Sequence, residues 1–216
     1  MTQHLNLTGR IDGHLKYDRP IPARFRLGER EVSPEILLKI GMLLESIRMG
    51  YHESIVNSQL RDLKEIGADS DLTETLLKTH LKVDITIRNG AGNVTICERI
   101  MRFIRESALK GDEVSTRGKD EVISAGAYIW MTAPRRFTNQ DTRFLWHTRT
   151  PHPEGATPQD KEEDMQIFRP FFEGAQEPLR SKFLHAIDED DQGCHEITTT
   201  GAVLIRAGLA EPWPFA

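Results

Sequence analysis

EVSTRGKDEVISAGAYIWMTAPRRFTNQDTRFLWH, residues 113–147, decides how the chain is read. It opens on the β-prone run Val114, Ser115, Thr116, and its strand-like part runs to Ser124. There the period changes: AGAYIWMTA reads as a helix, and a second β-prone run, TRFLWH, closes the stretch on His147. A serine at a strand-to-helix junction is a candidate nucleophile. The turn exposes its Oγ, and the first N–H groups of the new helix can stabilise an oxyanion. His147 ends a strand that can run beside that helix, where a general base for Ser124 belongs. The plainer role for Ser124 is a helix N-cap, and for His147, beside a tryptophan, a packed and hydrogen-bonded side chain.

Outward from this stretch the pattern repeats. KVDITIR, residues 82–88, alternates as a strand with Val83, Ile85 and Ile87 on one face. The glycine-containing loop NGAGN follows at 89–93, then a helix over 94–109 whose buried stripe is Ile96, Ile100, Met101, Phe103 and Ile104. Strand, loop, helix, strand is a βαβ crossover, so the fold class is α/β with a mainly parallel sheet.

The flanks fill in around this centre. Ser33 and Pro34 start a helix as N-cap and first helical residue, with Ile36, Leu37, Ile40, Leu43, Leu44 and Ile47 at helical spacing. Residues 50–82 read as two more helical pieces, and residues 1–32 as an arm whose RPIPARFRLG is either irregular or a first strand. On the C-terminal side, 148–164 is a proline-rich, then acidic loop leading into an exposed helix start. Residues 165–187 are helical with breaks expected near Pro170 and Pro178, and 188–193 form a solvated loop. Thr200 is placed to cap a short helix, AVLIRA, that ends at Gly208.

A chain of 216 residues holds one sizeable core and is expected to be a single domain, 1–216. Its net charge of −5 gives no broad electrostatic footprint for nucleic acid. Two cysteines, Cys97 and Cys194, make no disulfide framework and fit a reducing cytoplasm. Cys194-His195-Glu196 has no second ligand cluster at a suitable spacing, so no metal is read from it. The N-terminus lacks the apolar core of a signal peptide, and no apolar run approaches the ~20 residues of a membrane span. A cytoplasmic protein without membrane contact is expected.

The stretch resembles the proteolytic-subunit family of the Clp proteases, in the crotonase-like superfamily. The matching letters are VST at 114–116, Ser124, the small residues Ala125, Gly126 and Ala127, the apolar helix, an arginine (Arg135 or Arg136), the TR-F-L strand and His147. The resemblance covers roughly residues 83–210. It implies repeated ββα and βαβ units with a mainly parallel sheet flanked by helices, and marks 1–32 as an N-terminal arm and about 50–82 as a helical insertion. It implies a serine endopeptidase with Ser124 as nucleophile, His147 as base and backbone N–H groups of Gly92 and Ala125 as oxyanion donors.

For the third member of the triad, the family places an aspartate shortly before its last helix. Counting back from Gly208 lands on Glu196, with Asp190 and Asp191 the nearest aspartates. No metal or organic cofactor is implied. Peptides or unfolded proteins would be the substrates, a homo-oligomeric ring the assembly, and an ATP-dependent AAA+ unfoldase the partner. The chain departs from the family where NGAGN stands for a serine-proline-glycine-glycine loop and where RGKDE, 117–121, stands for small apolar residues. Two rival readings stay open: a non-catalytic subunit or scaffold on the same fold, and an acyl-CoA enzyme on the crotonase fold. SAGAYI is also similar to serine–lysine peptidases of that superfamily, for which Lys161 is the nearest lysine.

Overall fold

The alternation of Val83, Ile85 and Ile87 and the periodic stripe on the following helix produce the layers they predict. The structure is a computed structural model that describes residues 2–8, 25–27, 30–68, 73, 80, 82–88, 92, 94–147, 158–188 and 196–214. The N-terminal part contains β1 (Thr2–Thr8), β2 (Phe25–Leu27), β3 (Arg30–Val32), α1 (Pro34–Arg48) and α2 (Glu53–Glu65). The centre contains β4 (Lys82–Arg88), α3 (Val94–Lys110), β5 (Glu113–Gly118), β6 (Glu121–Ile123), α4 (Ala125–Thr132), β7 (Arg135–Thr138) and β8 (Arg143–His147). The C-terminal part contains α5 (Pro158–Glu173), α6 (Leu179–Asp188), β9 (Glu196–Thr200), α7 (Gly201–Arg206) and β10 (Glu211–Pro212).

The main sheet has the order β1-β4-β5-β7-β10, and every neighbouring pair is parallel. Val83, Ile85 and Ile87 are buried on its apolar face, where β4 meets α4 and β5 meets both α3 and α4. α1 packs on α3, and α2 packs on α1. A second sheet, β6-β8-β9, pairs β8 parallel to β6 and antiparallel to β9. The fold is therefore mixed α/β with a mainly parallel sheet flanked by helices. Among the described residues, no helix is long and apolar enough to cross a membrane.

Ser33 caps α1 as expected, its Oγ accepting the N–H of Ile36 at 3.2 Å, and Cys97 is buried in the core. Of the two arginines, Arg136 is the one tied inward: it donates to the carbonyls of Leu209 and Ala133 and lies over the Phe171 ring. Burial lowers the pKa of its guanidinium.

Other expectations need correction. The strand expected to run into Ser124 is two strands in two sheets, because the chain turns at Asp120 with φ 59°. β1 lies within the N-terminal arm and joins the main sheet, whereas FRLG contributes only to the small antiparallel pair β2-β3. Pro170 sits inside α5 without ending it, and α5 already begins at Pro158. Thr200 stands at the N-cap of α7, but its side chain makes no cap hydrogen bond. The backbone turn before β8 does that work: Thr142 O accepts from Gly201 N and Gln140 O from Ala202 N, at 2.8 and 2.9 Å. Of the second helical piece expected within 50–82, Thr73, which is helical, and His80 are described, and the loop 148–157 lies outside the described residues.

The contact between that turn and α7 leaves no room for a side chain at Gly201, where a Cβ would collide with the carbonyl oxygen of Asn139 and approach Thr138 Oγ1 to 2.8 Å. The obstacle is backbone, so Gly201→Ala is expected to destabilise the protein by at least the ~1–3 kcal/mol typical of overpacking. Denaturant unfolding checks it, and parental stability would contradict the close approach.

Candidate active site

Ser124 stands between β6 and α4 with φ 53° and ψ −119°. This is the backbone of the first central residue of a type II′ turn, a conformation glycine adopts easily and serine seldom does. Its side chain makes no cap hydrogen bond to α4, so the hydroxyl is not committed to the N-cap role. Strain of this kind costs roughly 1–3 kcal/mol and persists only where the surroundings impose it. Here the Ser124 N–H donates to Leu145 O at 2.8 Å, and the Ser124 carbonyl accepts from Ala127 N at 2.9 Å and Tyr128 N at 3.1 Å.

The bond to Leu145 sets Ser124 against the strand that carries the histidine. The parallel ladder between β6 and β8 ends at the pair Ile123 and Leu145, two residues before His147. On the other side of β8 the antiparallel ladder pairs Leu145 with Thr198 and His147 with Glu196. Opposed residues of an antiparallel pair share a face, with Cβ atoms about 4.5–5.5 Å apart. Leu145 and His147 are half-buried, while Phe144 and Trp146 point into the core and are fully buried. Ser124, the last residue of β8 and the first residue of β9 thus lie at the same end of the small sheet. Glu196 is exposed, and its Oε1 accepts from the Thr198 hydroxyl at 3.2 Å.

Two further features point at the same end. Ala125 and Gly126 begin α4, where the first N–H groups of a helix have no partner within it. Cys97, in the first turn of α3, donates its Sγ–H to the Ala125 carbonyl oxygen at 3.4 Å. The first turn of α3, which follows residues 89–93 in sequence, therefore lies beside the start of α4. Gly92 is half-buried, and the rest of the NGAGN loop lies outside the described residues. Asp190, Asp191, Cys194 and His195 also lie outside them, and Lys161 falls in the first turn of α5.

One participant was not anticipated in the sequence. Tyr128 follows Ser124 by one helical turn, and its hydroxyl donates to the backbone carbonyl of His147 at 3.1 Å. Only the spacing of one turn, which places it above Ser124 on the same helix face, could have flagged it.

Among the described residues no three His, Cys, Asp or Glu side chains gather to hold a metal ion. A cavity lined by Leu44, Ile47, Arg48, Glu106 and Lys110 sits at the far end of α3 from Cys97, and at 1.5 Å of rise per residue it is more than 10 Å along the helix from the start of α4.

No protein-family model matches the chain, and no curated protein matches it by sequence. Among solved structures it is similar to a point mutant of ClpP1 from Listeria monocytogenes, with 15% identity, a TM-score of 0.45, and coverage of 97% of this chain and 89% of that one.

The strain at Ser124 makes a prediction that separates it from an ordinary helix cap. Removing an N-cap serine normally costs stability, only a few tenths of a kcal/mol when glycine replaces it. Here Ser124→Gly is expected to stabilise the protein by about 1 kcal/mol, because glycine meets φ 53° without strain. Urea unfolding reads the sign, and a destabilised Ser124→Gly would remove the strain argument.

Proposed function

We propose that the protein is a serine peptidase of the Clp proteolytic-subunit kind, acting on peptides or unfolded protein. One observation carries the reading: a strained, uncapped Ser124 is hydrogen-bonded to the strand on which His147 stands directly opposite Glu196. The sequence resemblance assigns the same residues to the same roles. The paired charges around Arg117 and Asp120 weaken the argument for a remodelled, inactive strand, since they are turned to other partners.

In this reading Ser124 Oγ attacks the carbonyl carbon of the scissile peptide as His147 takes its proton. The oxyanion that forms is held by the N–H of Ala125 and by the N–H of Gly92 from the neighbouring loop. His147 then gives the proton to the departing amine, and the acyl group remains on Ser124. Water, deprotonated by His147, releases the acid and restores the hydroxyl. Glu196 keeps the imidazole oriented and stabilises the imidazolium. The extra methylene that distinguishes glutamate from the aspartate of the family sets His147 slightly farther from its partner. A closed ring of identical subunits, sites facing inward, would be the working assembly in the cytoplasm, and an AAA+ unfoldase would deliver the chain to be cut.

A fluorophosphonate probe tests the nucleophile. It is expected to label the wild-type protein at Ser124 and to leave Ser124→Ala unlabelled, with hydrolysis of small peptide substrates falling by several orders of magnitude. Equal labelling or activity in Ser124→Ala overturns the reading. Glu196→Gln is expected to keep Ser124 in place yet lower turnover by a large factor, up to about 10⁴-fold where such an acid is essential. A change of less than twofold in Glu196→Gln would leave a serine–histidine dyad or a triad whose acid comes from elsewhere. Sedimentation at micromolar concentration is expected to show a species several times the 24.6 kDa protomer, and a monomer throughout would exclude the ring.

A further inference from the structure

The parallel ladder of β6 and β8 stops at Ile123 and Leu145 because the chain turns away at Ser124 into α4. Along a strand, carbonyls two residues apart point the same way. Leu145 O and His147 O therefore both face the side that β6 occupies. The first accepts from Ser124 N at 2.8 Å. The second, one step beyond the end of β6, accepts from the Tyr128 hydroxyl at 3.1 Å. The phenol stands where the next strand donor would have been. Tyr128 is itself fixed at both ends of its backbone: its N–H donates to Ser124 O at 3.1 Å, and its carbonyl accepts from the Thr132 hydroxyl at 2.8 Å.

We propose that Tyr128 is a positioning residue for His147, and that its hydroxyl sets the distance between the histidine's strand end and the turn carrying Ser124. The proposal rests on the peptidase reading above. His147 is the last residue of β8, one step beyond the end of the β6 ladder. Two parallel hydrogen bonds, from Ser124 N and Tyr128 Oη, couple that end to the first turn of α4, so nucleophile and base are carried by one rigid corner. A phenylalanine would keep the ring and its packing but remove this hydrogen bond to the carbonyl. The imidazole would then sample positions too far from Ser124 Oγ to take its proton, and misplacement by about 1 Å can cost up to 10²-fold in rate.

The test compares wild type and Tyr128→Phe in reaction with a fluorophosphonate. In that reaction Ser124 Oγ bonds to phosphorus, fluoride leaves and the serine proton passes to His147, so the rate reads the serine–histidine geometry. Tyr128→Phe is expected to lower the first-order labelling constant by on the order of tenfold to a hundredfold, with the probe's half-saturating concentration and the melting temperature unchanged. Incorporating 3-fluorotyrosine at 128, which keeps the hydroxyl, is expected to retain most of the rate. A wild-type rate in Tyr128→Phe, or a loss that only tracks a lowered melting temperature, overturns the positioning role and leaves the peptidase reading standing. Failure of the wild-type protein to label at Ser124 overturns both.

Discussion

The turn at Lys119 and Asp120 is the constraint from which the arrangement at Ser124 follows. Up to Gly118 the chain belongs to the five-stranded sheet; three residues later it is the edge of a second one. Asp120 takes φ 59° to make the change, its carbonyl accepts from Arg143 N at 2.9 Å, and its carboxylate meets Arg88 at 2.7 Å. That ion pair is largely exposed and contributes on the order of 1 kcal/mol at most, so the backbone bond to Arg143 and the packing beside it must hold the turn. Gly118 shows how tight this packing is: a Cβ there would lie 2.7 Å from Phe144 Cζ. Once β8 is docked on Asp120, its register with β6 is fixed, and Leu145 O falls where it can capture the N–H of Ser124.

What keeps β8 docked is a cluster of aromatic rings on its inner face. Phe144 and Trp146 stack at 5.5 Å, and both meet Trp130 of α4. Phe171 and Phe172 of α5 close over Trp146, and Phe183 of α6 backs Phe172. Ring pairs of this kind add about 0.5–1.5 kcal/mol each beyond the area they bury. The indole N–H of Trp130 donates to Phe137 O, and Thr116 donates to the Trp130 carbonyl, so α4 is pinned to the main sheet through the same residue. The Trp146 N–H has no hydrogen-bond partner among the described residues. Alternation along β8 thus gives Phe144 and Trp146 to the core and leaves Leu145 and His147 half-buried on the other face.

Much of this was legible in the sequence, for reasons that can be traced residue by residue. KVDITIR, the helix after NGAGN, AGAYIWMT and RFLWH each carry a local signal, either alternation or a helical stripe, strong enough to survive into the fold. The break between β5 and β6 was hidden because residues 113–123 keep strand-like character throughout, and the turn between them depends on β8, distant in sequence. β1 was missed because its only structural argument is a partner, β4, far along the chain. Pro170 misled because the aromatic packing of Phe171 and Phe172 outweighs the helix bond the proline forfeits. Thr200 misled because the orphan N–H groups of α7 already had carbonyl partners in the turn before β8. Glu196 could be reached only by counting back from Gly208; that it stands opposite His147 is a fact of register that no local pattern encodes.

The charged run RGKDE, which in sequence spoke against a buried strand leading to a nucleophile, is absorbed by the same geometry. Alternation turns Thr116 and Gly118 to the apolar face and Arg117 to the other. There Arg117 pairs with Asp84 at 2.6 Å, Asp84 also accepts from Ser115, and the guanidinium lies over the rings of Phe137 and Trp213. Farther along, Asp120 goes to Arg88 and Glu121 to Arg143. Each of these carboxylates and the buried side of the strand is satisfied, so none of the desolvation cost of an unpaired charge is incurred at this point. A strand with apolar residues on one face and paired charges on the other can deliver a strained serine as well as an all-apolar strand can. The conformation of Ser124 is imposed by its hydrogen bond to β8 and by the start of α4, and neither depends on how hydrophobic β5 is.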